Sequence, residues 1–234
     1  MTDHNMSFGS RVLRFYDNLV MPDISLENIE VIQAHKSKEA RMYMDRFFNK
    51  FFNDKKKRFF VIGINAGRFG AGNTGIPFTD SVQLEVSCGI PNTLKKRSEI
   101  SSEFLYKFIN EWRGTQEFYQ NFFFTGMSPV GFLKNGTNCN YYDDPDLLSN
   151  TKPFIIETLT QQFTFGARRE AVIIIGSGKN AKIFNELNKE HQWFKEVFIV
   201  EHPRFIMQYR RKHINEYLIK YTNVFSEVLS KIQD

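Results

Sequence analysis

At 234 residues, the chain has the length of one α/β domain, residues 1–234, and is long enough to bury a full core. Hydrophobic residues make up 41% of it, yet no stretch approaches the roughly eighteen uninterrupted apolar residues of a membrane span, which argues against a membrane partner. The net charge of +5 suits a nucleic-acid partner without requiring one. Cys88 and Cys139 are too few for a disulfide framework or a zinc site and fit a reducing cytosol. The first twenty residues carry no apolar signal core, so export is not expected, and a cytoplasmic monomer is.

In chain order, Met44, Phe47, Phe48, Phe51 and Phe52 recur at helical spacing. Lys55, Lys56, Lys57 and Arg58 then form a basic run, which ordinarily marks a solvated face. Residues 59–64 have the length and composition of a buried parallel strand. Gly63, Gly67, Gly70, Gly72 and Gly75 follow closely, and glycines at that density let backbone approach a ligand. Asn65 falls just beyond the strand's carboxyl end, where open α/β sheets bind ligands. The glycine spacing is not the dinucleotide G-x-G-x-x-G, and Asn73-Thr74-Gly75 does not end a phosphate loop. A structural turn is the alternative.

Lys95, Lys96 and Arg97 form a second basic run. Phe104, Leu105, Phe108, Ile109 and Trp112 predict a helix, and residues 121–125 a second strand. Phe154, Ile155, Leu159 and Phe163 predict the next helix, and residues 171–175 a third strand. Gly176-Ser177-Gly178-Lys179 lacks the upstream glycine of a Walker loop and reads as a strand-to-helix turn, opening a helix with Ile183, Phe184 and Leu187. A fourth strand, residues 196–201, runs into His202-Pro203. Arg204, Arg210, Arg211 and Lys212 follow, mixed with Phe205, Ile206, Met207 and Tyr209: cations for phosphates and apolar tips for a base step. Tyr217, Leu218, Tyr221, Phe225, Val228 and Leu229 predict a last helix. Strands alternating with helices imply an α/β fold of three layers, α/β/α, around a short, mostly parallel four-stranded sheet.

The run from Gly63 through Asn65, Gly67, Gly70, Thr74 and Gly75 to Pro77-Phe78 resembles the first motif of the single-strand-selective monofunctional uracil-DNA glycosylases, G-M-N-P-G-P-F-G-x-x-x-T-G-V-P-F, over sixteen positions. His202-Pro203-Arg204 resembles part of their second motif, H-P-S-P-R-N. Between them, residues 122–132 resemble the family's middle strand and its x-N-x-x-P-L-x-F ending, with Gly126 where the family has its uracil-reading asparagine. The likeness covers about residues 58–215.

This resemblance implies a DNA-repair glycosylase that flips a deaminated base out of single- or double-stranded DNA and hydrolyses its N-glycosidic bond, with no metal and no cofactor. Asn65 would orient water and His202 would stabilise the leaving base. Ile64, Gly67, Phe78, Gly126 and Ser128 would surround the base, with Phe78 stacking on it. Gly70, Pro77, Pro203, Arg204, Arg210, Arg211 and Lys212 would meet the DNA. Gly126 offers no amide and is expected to leave extra volume, so hypoxanthine and xanthine are expected beside uracil. Ser128, Asn138 or Asn140 are candidates to restore discrimination. Two other readings stay open: a nucleic-acid-binding domain of the same fold that has lost activity, and a nucleotide hydrolase of another α/β family.

Overall fold

The computed structural model describes residues 5–21, 24 and 26–232. Its elements in chain order are α1 (Phe8–Asp17), β1 (Ile29–Ile32), α2 (Lys38–Phe51), β2 (Arg58–Gly63), α3 (Ala71–Thr74), α4 (Ser81–Val86), α5 (Ile100–Trp112), α6 (Gly114–Asn121), β3 (Phe122–Gly126), β4 (Gly131–Lys134), β5 (Thr137–Cys139), α7 (Pro145–Phe163), β6 (Ala167–Ile175), α8 (Lys179–His191), β7 (Glu196–Val200), α9 (Pro203–Tyr209) and α10 (Ile214–Leu229).

The four apolar runs are β2, β3, β6 and β7, and they form one parallel sheet in the order β3-β2-β6-β7. Every residue of β2 is buried, as expected of a strand covered on both faces. Side chains alternate across the sheet. Phe123 packs at 5.0 Å from both Phe8 and Phe60, whereas Phe122 packs at 5.0 Å from Phe225. The helices predicted from apolar spacing are α2, α5, α7, α8 and α10. The fold is thus α/β, a four-stranded parallel sheet flanked by helices.

Two features depart from the sequence reading. A second sheet, β1-β4-β5, is antiparallel, with a tight turn at residues 135–136 joining β4 to β5. Arg58, expected on a solvated face, is fully buried. Its guanidinium binds both Asp54 oxygens, at 2.6 and 2.9 Å, donates to the Tyr119 carbonyl at 3.1 Å, and lies over the Phe8 and Phe52 rings. A planar cation with five donors can be buried when a carboxylate and carbonyls take up most of them, as here.

Candidate active site

The carboxyl ends of β2, β3 and β7 open into a cavity of about 300 Å³. Ligands of open α/β sheets sit at such strand ends. Asn65 follows β2 and lines this cavity, with its amide held at both ends. Nδ2 donates to the Cys139 carbonyl at 3.2 Å, and Oδ1 accepts the Tyr141 N–H at 3.0 Å. The Tyr141 hydroxyl in turn donates to Asn180 Oδ1 at 3.0 Å, and Asn180 Nδ2 donates to the Gly63 and Ile175 carbonyls. A buried network thus ties the turn after β2 to the start of α8 and to the loop after β5. One lone pair of Asn65 Oδ1 remains for a further donor.

His202 follows β7 as the N-cap of α9, and its Nδ1 accepts the Arg204 N–H at 3.2 Å. That bond leaves the ring proton on Nε2. Burial, reinforced by the Arg204 charge, lowers the His202 pKa to about 4, so the ring is neutral near pH 7. His202 lines the same cavity as Asn65, and its ring centroid lies 6.2 Å from that of Phe78.

Phe78 lines the cavity half-buried, with φ at +56°. An L-residue in that region is uncommon and is held there by its surroundings. The ring packs 5.2 Å from Phe124 and lies so close to Gly63 that a Cβ there would collide with it. Gly63 is therefore a packing requirement for the Phe78 ring.

Ile64, Gly67, Pro77 and Arg204 also line the cavity. Pro203 is buried at the first position of α9. Gly70, expected to meet DNA, is buried instead, with the Glu99 carboxylate filling the side on which a Cβ would project. Ser128 lines the cavity, but its hydroxyl donates to the Val130 carbonyl at 2.9 Å and accepts the Val130 N–H.

Gly126 lines the cavity without leaving extra volume. A Cβ there would stand 2.7 Å from the Ser128 carbonyl oxygen and 3.2 Å from that of Ile64. The chain after β3 folds against the turn after β2, with Met127 N–H on Gly63 O and Ser128 N–H on Ile64 O, both at 3.1 Å. Backbone occupies the place of a side chain.

The basic stretch after His202 is a helix with one buried face. Ile206 and Met207 belong to the core, so they are not insertion tips. Phe205 and Tyr209 are exposed, at 39% and 66%, and both line the cavity mouth. Arg210 sits over the Phe205 ring, Arg211 lies 3.6 Å from Glu103, and Lys212 is exposed in the next turn.

Glu99, His35 and Tyr16 also line the cavity, and none of them lies in a sequence motif. His35 Nε2 is buried without a hydrogen-bond partner. Among the described residues no group of three His, Cys, Asp or Glu could hold a metal ion, and no helix is long and apolar enough to cross a membrane.

Fold and cavity together define an α/β protein whose candidate ligand site lies beyond the carboxyl ends of a parallel sheet. The model of the uracil DNA glycosylase superfamily matches residues 49–228, and the chain belongs to that superfamily. It is therefore a DNA glycosylase, a hydrolase acting on DNA. The chain is also similar to Pedobacter heparinus SMUG2 in its crystal structure, with 35% identity and a TM-score of 0.93 over 97% of this chain and 100% of that one. That likeness agrees with the family resemblance of the two motifs, the single-strand-selective monofunctional branch. No curated protein matches the chain.

Proposed function

We propose that the protein is a monofunctional glycosylase that excises uracil, and also hypoxanthine and xanthine, from DNA in the cytoplasm, acting as a single-domain monomer. The observation that supports this most is the convergence of Asn65, His202 and Phe78 on one cavity, with both polar side chains fixed by backbone bonds. A flipped base stacks on Phe78. Asn65 Oδ1, with one lone pair free, orients the attacking water toward the anomeric carbon. It does not ionise, so it positions the water without removing its proton. His202 Nε2–H donates to the base oxygen that gathers negative charge as the bond breaks. A neutral donor needs no proton transfer.

Uracil-containing oligonucleotide, alkali and a Mg²⁺-free EDTA control test this. Base release is expected in EDTA, with strand breakage only after alkali. Trapping of an enzyme–DNA adduct by borohydride would contradict a monofunctional enzyme, because no lysine takes part in the site described.

The pH profile carries a second expectation. With the His202 pKa lowered to about 4, the folded protein resists protonation of this ring across the range where a free histidine, near 6.5, would take it up. The single-turnover rate should show no His202 inflection near 6.5 and should fall only as pH approaches 4, where protonated Nδ1 loses the Arg204 bond. The sign for stability is the same: the unfolded chain gains the proton first, so this ring's contribution is present above about 6.5 and is lost as pH drops toward 4. An inflection near 6.5 that disappears in His202→Ala would contradict the neutral-donor role.

DNA affinity is expected to fall steeply with salt, through Arg204, Arg210, Arg211 and Lys212, each phosphate contact adding roughly 0.7–0.9 to the log–log slope. Arg210→Ala with Arg211→Ala should flatten that slope in a fluorescence-anisotropy titration. The Arg211–Glu103 pair at 3.6 Å is exposed and yields readily to a phosphate. An unchanged slope would move the DNA path toward Lys95 and Arg97.

A further inference from the structure

Gly126 carries no amide, and the Ser128 hydroxyl is engaged with Val130, so neither presents a side chain to the edge of a flipped base. Glu99 does. It is the N-cap of α5, a position that favours Ser, Thr, Asp or Asn, yet its side chain makes no capping bond. Its backbone N–H is pinned at 2.8 Å to Asp80 Oδ2, and its side chain leaves the helix for the glycine loop. There the carboxylate lies against Gly67 and Gly70. A Cβ built on Gly67 would stand 2.7 Å from Glu99 Oε1 and 3.9 Å from Asn138 Nδ2. Asn138 already uses Oδ1 to accept the Arg68 N–H at 3.0 Å, which fixes its Nδ2 as the free, donating end. Among the described residues the Glu99 carboxylate accepts no hydrogen bond and forms no ion pair within 4.0 Å. The cavity wall at Gly67 thus shows an unused acceptor beside an unused donor.

We infer that Glu99, with Asn138 beside it, reads the lactam edge of the flipped base, Glu99 accepting its ring N–H and Asn138 donating to the adjacent carbonyl. This rests on the glycosylase reading above and names what separates its substrates from cytosine and adenine. Deamination of cytosine and of adenine creates this edge. Uracil, hypoxanthine and xanthine all present a ring N–H beside C=O, whereas cytosine and adenine present a bare ring nitrogen beside an amino group. An acceptor facing that bare nitrogen is left unpaired, and a buried unpaired polar group is costly. One pair of side chains therefore accepts three deaminated bases and refuses cytosine and adenine; guanine and thymine carry the same edge and are not refused by this pair. Burial and the nearby Asp80 charge raise the Glu99 carboxyl above its ordinary range, opposed by Arg204, as for an acceptor whose donor has yet to arrive.

The test uses oligonucleotides carrying uracil or 3-methyluracil, which lacks the N3–H, on 2′-fluorinated sugars that resist cleavage. Wild type is expected to bind the uracil oligonucleotide about tenfold or more tightly than the 3-methyluracil one, and Glu99→Ala to lose that preference. Glu99→Ala should also slow single-turnover release from ordinary uracil DNA about 10- to 100-fold. Glu99→Met fills the same space without an acceptor and gives the same result if the alanine variant does not fold. A preference that persists in these variants, or that wild type lacks, overturns the assignment. A merely structural role in bracing the glycine loop would weaken both oligonucleotides alike and leave the preference intact. Failure of wild type to release uracil at all would instead overturn the glycosylase reading.

Discussion

Asn65→Ala and His202→Ala should each slow single-turnover base release by at least about two orders of magnitude, with far smaller changes in DNA affinity. Both groups act on charge or on a nucleophile that exists only as the bond breaks. Asn65 is held by the Cys139 carbonyl and the Tyr141 N–H, so its remaining lone pair points in one direction before any substrate arrives. His202 is held by the Arg204 N–H, which fixes the Nε2 proton as the donor. Groups fixed in advance, an acceptor at Asn65 and a donor at His202, spend no reorganisation at the moment of reaction, and losing such a donor typically costs about 10²–10³ in rate. His202→Ala also removes the N-cap of α9, worth about 1 kcal/mol, so a thermal melt must accompany the kinetics. Near-wild-type chemistry in folded Asn65→Ala would remove Asn65 from the reaction.

The parallel sheet was legible because each strand contains an apolar run, continuous and buried throughout in β2 and over residues 171–175 of β6, and followed through Val197–Val200 in the edge strand β7. The antiparallel sheet was not. Its strands have three or four residues, with exposed Glu30, Lys134, Thr137 and Asn138, and no periodicity can emerge over such a length. Arg58 misled for a related reason. Its burial depends on Phe8, brought from the N-terminal helix, and on a carbonyl of α6, and a basic run in sequence cannot show either. Asn65 and His202 were legible as cavity residues because each follows an apolar run, and Phe78 because it closes the same motif as Asn65. Glu99 carries no such mark. It stands before a helix where a polar residue is ordinary, and only the folded chain turns it toward Gly67 and Gly70.

Gly126→Asn should not convert the site to strict uracil preference; it should lower excision of uracil, hypoxanthine and xanthine together by about 10²-fold. The sequence suggested an empty place waiting for an amide. The structure fills that place with the Ser128 and Ile64 carbonyls, 2.7 and 3.2 Å from where a Cβ would stand. The two carbonyls cannot separate independently, because the Ser128 backbone is bonded to Ile64. Ile64 O accepts the Ser128 N–H at 3.1 Å, and Ile64 immediately precedes Asn65. Relief of the clash therefore moves the backbone that aims the Asn65 amide, and a displacement of about 1 Å at a reacting group can cost about 10²-fold. Forcing a side chain into packed surroundings should also destabilise the fold, by about 1–3 kcal/mol in urea denaturation. Gly126→Ala separates the causes, because it brings the same Cβ without the amide. If the two variants lose rate and stability alike, with the base preference unaltered, the backbone clash is the cause. If Gly126→Asn keeps its rate and gains uracil preference while Gly126→Ala does not, the chain after β3 yields, and Gly126 is then the residue that sets the substrate range.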